Sequence, residues 1–163
     1  MRYAHTPRVR RSAPTLYGTR SGATVIVNVA TLIVQGADGA LLALKQTLPF
    51  SLEGDWSKGD RMRSGAVRTL SGLSGTVSDC ATPAELVVAL SELLAVCVSR
   101  GIVLSSPGLE ARISIGVTVG DSQQFVACID LSREVLLALT ASGVSLSFTA
   151  YPTSDEPSAA SSI

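Results

Sequence analysis

The stretch TPAELVVALSELLAVCVSRG, which begins at Thr82, constrains the fold more than any other part of this sequence. A Thr cap, Pro83 in the first turn and Glu85 three residues after the cap are the start signal of a helix. Arg100 and Gly101 mark its end. Leu, Val and Ala occupy most of the circumference. A helix this apolar is either sandwiched in the core of the domain or exposes a face to a partner.

The predicted helix, Pro83–Ser99, has one narrow polar stripe. The stripe consists of Glu85, Glu92 and Ser99. The residues that we expect to pack on a sheet are Leu86, Leu90, Leu93 and Cys97. Val88, Ala95 and Val98 form a flank that either meets another element of the domain or forms a dimer seam.

The remaining segments predict strands and two shorter helices. ATVIVNVATLIVQ reads as a long central strand, which the turn GADG joins to the helix ALLALKQTL with Leu41, Leu44 and Leu48 on one face. MRSGAVRTLSGLSGTVS reads as two short strands, and EARISIGVTVG with QQFVACID as an antiparallel hairpin. Ser132 caps a helix REVLLALTA that ends at Gly143, and VSLSFTAY is a final strand. This order predicts an α+β two-layer sandwich: a mainly antiparallel sheet with one long and two shorter helices.

Length and composition predict one domain with tails. The chain has 163 residues, of which 46% are hydrophobic and 16% charged. We expect a basic flexible arm at residues 1–22, a single α+β domain at 23–152 and a polar tail at 153–163. The longest apolar run is too short to span a membrane, and the basic start lacks the apolar core of a secretory signal. These features favour a cytoplasmic protein without membrane contact.

Charge is divided unevenly along the chain. Residues 1–68 carry ten Arg and Lys against four acids, a net +6, whereas residues 69–163 carry three Arg against nine acids, a net −6. In the alternative in which the arm binds nucleic acid, the residues that contact it are Arg2, Arg8, Arg10, Arg11 and Arg20. Such an arm is typical of binding to nucleic acid or to an acidic protein surface, or else it is a solvated tail.

The sequence lacks the residue patterns of an enzyme. Its only histidine, His5, lies in the arm, so no His-based triad or zinc cluster can form in the body. Gly-rich phosphate motifs and a nucleophile elbow are absent. Three carboxylates share one loop, at Glu53, Asp55 and Asp60, but that pattern is common and unspecific. We therefore expect a protein that is not an enzyme and that binds no cofactor or metal.

The three cysteines are odd in number and far apart, which fits neither a disulfide framework nor a metal site. Cys97 and Cys128 stand among Val, Leu, Ile and Ala, so both are predicted to be small core residues.

The stretch GDWSKGDRMRSG contains the only tryptophan, Trp56. A helix does not follow it, so it is not a phosphate cradle. We expect an exposed turn in which Gly59 takes a positive φ and Asp60 accepts local backbone hydrogen bonds. Trp56 either packs on the edge of its own domain or anchors a partner. The predicted partner-binding residues are Trp56, Lys58, Asp60, Arg61 and Arg63.

Several of these motifs together carry a family resemblance. A first strand leads through GADG into a short helix that ends at Leu48-Pro49, a KGD turn follows, and IDLSREVLLALTASGVSLSFTAYP closes on Tyr151. From Ala23 to Pro152 the chain resembles a bacterial domain-of-unknown-function family of small α+β proteins, some of which are similar to immunity proteins encoded beside polymorphic toxins. Leu73 stands where the family usually has Trp.

The resemblance implies a non-catalytic protein-binding domain, in concrete form an immunity protein that neutralises a toxin. The alternative is a self-assembling structural subunit, a homo-oligomer whose basic arm contacts nucleic acid.

Overall fold

The computed structural model describes residues 27–48, 50, 52–120 and 122–153. The predicted arm, the start of the predicted domain at 23–26 and the tail beyond 153 lie outside the described residues. The strands are β1 (Asn28–Gly36), β2 (Gly54–Trp56), β3 (Ser71–Asp79), β4 (Leu109–Val119) and β5 (Val144–Pro152). The helices are α1 (Asp38–Thr47), α2 (Pro83–Ser99) and α3 (Arg133–Ser142).

The five strands form one mixed sheet in the order β2-β3-β1-β4-β5. All neighbours are antiparallel except β4 and β5, which run parallel and are joined by α3. The long first strand was predicted to be central, and β1 does lie in the middle of the sheet. The α+β fold with a mainly antiparallel sheet, one long helix and two shorter helices is confirmed.

The core lies between one face of the sheet and the helices. Ala30, Leu32 and Val34 of β1 are fully buried, whereas the residues that alternate with them are only half-buried. Because side chains alternate across a strand, one face of the sheet is covered and the other is open. The open face has small polar side chains on the strands that flank β1, such as Ser74 on β3 and Ser114 on β4.

Helix α2 has the predicted bounds and cap. The Thr82 hydroxyl accepts from the Glu85 N–H at 3.3 Å, and the Glu85 carboxylate accepts from the Thr82 N–H at 3.2 Å. The buried stripe differs by one residue from the prediction, since Leu94 is buried and Leu93 only partly so. Helix α2 packs against α3 as well as against the sheet, so the sheet alone does not set its buried face.

The predicted hairpin after β4 is wrong. One edge of β4 is paired with β1 and the other with β5, so no position beside β4 is left for residues 122–131. This segment crosses from β4 to α3 without regular hydrogen bonding. Apolar residues alternate along this segment because every second side chain, at Ala127, Ile129 and Leu131, packs against the core.

Two other local predictions need correction. The stretch MRSGAVRTLSGLSGTVS was predicted to form two short strands. The structure has one nine-residue strand here, β3, and β1 and β2 pair with it on opposite sides. Asp38 and Gly39 of the predicted GADG turn belong to α1, which begins as soon as β1 ends.

None of the helices in the described part of the chain is long and apolar enough to cross a membrane.

Candidate protein-binding hairpin

Residues 57–70, here called the basic hairpin, project between β2 and β3. Three backbone hydrogen bonds hold the two arms together: Gly59 N–H to Arg68 O at 2.9 Å, Arg68 N–H to Asp60 O at 2.9 Å, and Met62 N–H to Ala66 O at 2.8 Å. A tight turn closes the tip, where Gly65 donates to Met62 O at 3.0 Å. The segment predicted to be an exposed turn is therefore an ordered hairpin.

The base of the basic hairpin is fixed by side chains. Gly59 has a φ of +95°, and the Asp60 carboxylate accepts from the Ser57 N–H at 2.8 Å. Both features were predicted and are confirmed. The Lys58 N–H donates to the Ser71 hydroxyl at 2.9 Å, which ties the hairpin to the first residue of β3.

Trp56 packs on its own sheet at this base. Its indole lies over Gly72, its N–H donates to Leu70 O at 3.1 Å, and the Arg68 guanidinium lies 4.2 Å from the ring centroid. A Cβ at position 72 would collide with the indole, so the glycine is what allows this close approach. The packing alternative for Trp56 is the one that the structure shows.

The basic hairpin carries a net positive charge that no described carboxylate neutralises. Its cations are Lys58, Arg61, Arg63 and Arg68, against the single acid Asp60, a net +3. Among the described residues the only ion pair is Lys45 to Asp55 at 3.5 Å, outside the hairpin. The hairpin cations are therefore available to carboxylates or phosphates of another molecule.

Apolar side chains are exposed on the same hairpin. Met62 is 43% exposed, Val67 55% and Leu70 42%. Exposed apolar groups among arginines give the composition of a protein interface, in which Met and Arg are enriched.

Metal binding and phosphate binding have little support among the described residues. No three of their His, Cys, Asp or Glu side chains come together in a way that could hold a metal ion. A groove of about 610 Å³ beside the basic hairpin has lining side chains of both signs, including Asp38, Lys45 and Asp55. The basic hairpin runs directly into β3 and not into a helix, so it offers no helix N-terminus for a phosphate.

The cysteines differ from the prediction at one position. Cys97 is buried, and burial raises the pKa of its thiol. Cys128 is exposed, which makes its prediction as a core residue wrong: the segment that contains it turns Ala127 and Ile129 inward. The charge of Asp130 raises the pKa of the Cys128 thiol, which donates to that carboxylate at 3.6 Å.

The structure brings together the five predicted partner-binding residues, with Trp56 at the base and Lys58, Asp60, Arg61 and Arg63 along the hairpin. Sequence reasoning missed Arg68 and the apolar members. These residues join the site through the fold, because the bridge between Arg61 and Val67 brings the two arms into register around the turn. The arm residues Arg2, Arg8, Arg10, Arg11 and Arg20 lie outside the described residues.

No protein-family model, curated protein or solved structure matches this chain.

Proposed function

We propose that this chain is a non-catalytic protein-binding domain that docks its basic hairpin on an acidic surface of a partner. In its concrete form it is an immunity protein that neutralises a toxin in the cytoplasm. The observation that carries the proposal is the combination of four cations without a described ion-pair partner and three exposed apolar side chains on one ordered hairpin.

The order of the hairpin favours binding. Its backbone hydrogen bonds hold the backbone that carries the cations in place before a partner arrives, and stacking on Trp56 holds the Arg68 guanidinium. A preorganised surface loses less conformational entropy on association. Its charge also speeds encounter with an acidic surface and selects against basic ones. A toxin whose active-site cleft contains carboxylates is the kind of partner that this surface fits.

The immunity form is supported by the resemblance of the strand, helix and KGD motifs to proteins encoded beside toxins. The alternative, a self-assembling subunit with a basic arm on nucleic acid, depends for its nucleic-acid contact on residues outside the described part.

The test is binding to, and neutralisation of, the product of the neighbouring gene. We expect the double variant Arg61→Glu/Arg63→Glu to bind that protein at least roughly tenfold more weakly, with most of the loss in the association rate. Calorimetry, stopped-flow association and rescue of growth on co-expression would measure this.

The matched control is Arg100→Glu/Arg133→Glu, which makes the same change in net charge at two exposed positions, the C-cap of α2 and the first residue of α3. It should bind as the parent does. A neighbouring product that is neither bound nor neutralised would contradict the proposal, and so would equal losses in the two double variants.

A further inference from the structure

The outer edge of β5 is unpaired. β5 ends the sheet order, and no described strand pairs with its side away from β4. Thr153 donates its N–H to Val119 O at 2.8 Å, so its backbone groups point toward β4. Because backbone groups alternate sides along a strand, those of Leu146, Phe148 and Ala150 point outward. This leaves a row of donors and acceptors without a partner in the described part of the chain.

The usual protections of a free edge are missing from β5. Proteins shield such edges with charged side chains, bulges, early prolines or short length. VSLSFTAYP contains no charged residue, its register with β4 is uninterrupted over nine positions, and its proline is the last residue. The opposite edge of the sheet differs, because β2 has three residues and leads into the basic hairpin.

The side chains along this edge are also exposed. Phe148 is 54% exposed on the side of the sheet that carries the helices, in the same row as the partly buried Leu146. Leu136 of α3, the helix that joins β4 to β5, is 49% exposed. The open side of β5 carries Ser and Thr, with Tyr151 lying against Gly116.

We infer that β5 pairs antiparallel with β5 of a second copy of this chain, with Phe148 opposite Phe148. Phe148 is the middle residue of Val144–Pro152, so this register pairs the whole strand. Leu146 then lies opposite Ala150 of the other copy. The outward groups of these three residues form about six hydrogen bonds, two for each antiparallel pair. The two sheets become one continuous sheet.

A second copy fits this edge because the strand is complementary to itself. A two-fold axis at Phe148 places the residues at the centre of the strand next to their own copies, so a charge there would meet a like charge. β5 has none to repel its copy. The apolar row of one strand meets the apolar row of the other, and on the open side Ser147 meets Thr149 and Ser145 meets Tyr151.

The test is the molar mass measured by light scattering over roughly a hundredfold range of concentration, since a dimer dissociates on dilution. We expect the parent to reach twice the monomer mass. Phe148→Lys should remain a monomer, because it places two cations opposite each other. Leu42→Lys is the matched control: it also replaces an exposed apolar side chain with lysine, at a 60% exposed position of α1, and it should stay dimeric.

Two further variants test the register and the backbone pairing. An equimolar mixture of Phe148→Lys and Phe148→Glu should recover the dimer mass, because the two charges then lie opposite each other. Ala150→Pro removes an outward N–H without removing a bond to β4, and it should also give a folded monomer by circular dichroism. The hairpin variant Arg61→Glu/Arg63→Glu should keep the dimer. Dimerisation and partner binding are therefore tested by separate variants, and either one can fail while the other holds.

A parent that is monomeric at every concentration overturns the inference. Slow exchange of the Phe148 amide in such a monomer would show that another segment of the same chain covers the edge. A dimer that survives both Phe148→Lys and Ala150→Pro would place the interface elsewhere. A mixture of the two charged variants that stays monomeric overturns the register.

Discussion

At the scale of a residue, Cys128 shows how one neighbour changes the chemistry of a thiol. We predict that Asp130→Asn lowers the pKa of Cys128, because it removes the negative charge that favours the protonated thiol. More thiolate is then present near neutral pH, and alkylation by iodoacetamide becomes faster. Mass spectrometry of the peptide that contains Cys128 would measure the rate. Asp38→Asn, on α1, is the control and should leave the rate of Cys128 alkylation unchanged. Equal rates in the parent, Asp130→Asn and Asp38→Asn would contradict the prediction.

The same residue shows what the sequence can and cannot predict locally. The apolar neighbours of Cys128 suggested burial, but along an extended segment every second side chain points outward, and the sequence does not say which set. Gly59 and Asp60 were predicted correctly because their roles depend only on the backbone of the turn that contains them. The stacking of Trp56 on Gly72 could not be predicted, since it depends on the pairing of β2 with β3.

At the scale of an element, α2 can be tested by two substitutions on opposite sides. Leu90 is fully buried, so Leu90→Ala should lower the free energy of unfolding by about 2–5 kcal/mol. Val88 is 58% exposed, and Val88→Glu should change it by no more than about 0.5 kcal/mol. Urea unfolding of both variants and the parent would measure this. A Val88→Glu variant as destabilised as Leu90→Ala would show that the flank is covered.

Helices and strands whose signals lie close together in the sequence were predicted best. The bounds of α2 follow from its cap, its first-turn proline and its terminal glycine, all within the helix or next to it. α3 was predicted from Ser132 and Gly143 in the same way. Strand pairing depends on residues far apart in the chain, and this is why the partners of β4 were assigned wrongly and the three-residue β2 was missed.

At the scale of the whole molecule, a buried amide pair joins segments that are distant in sequence. The Asn28 side chain donates to Ala81 O at 3.1 Å and to the Gln124 side-chain oxygen at 3.2 Å, and it accepts from Gln124 at 3.0 Å. Gln124 also donates to Thr118 O. These bonds connect the start of β1, the end of β4, the residue before the cap of α2 and the segment that leads to α3.

We predict that Asn28→Ala lowers the free energy of unfolding by about 1–3 kcal/mol, because it removes three hydrogen bonds at a fully buried position. Chemical denaturation would measure the change. Val126→Ala is the control in the same segment: Val126 is exposed, and its loss should cost about 0.5 kcal/mol or less. Equal stability of Asn28→Ala and the parent would contradict this role of the amide pair.

The central position of β1 has a consequence for synthesis of the chain. Val34 pairs with Leu73 on one side and with Ala111 on the other, and these partners come 39 and 77 positions later. At about 5–20 residues per second, translation leaves β1 without its second neighbour for roughly 4–15 seconds. Meanwhile Leu32, Ile33 and Val34 remain as an apolar strand with at least one free edge. The nascent chain therefore exposes this apolar strand throughout that interval, which is the time when a chaperone would protect it.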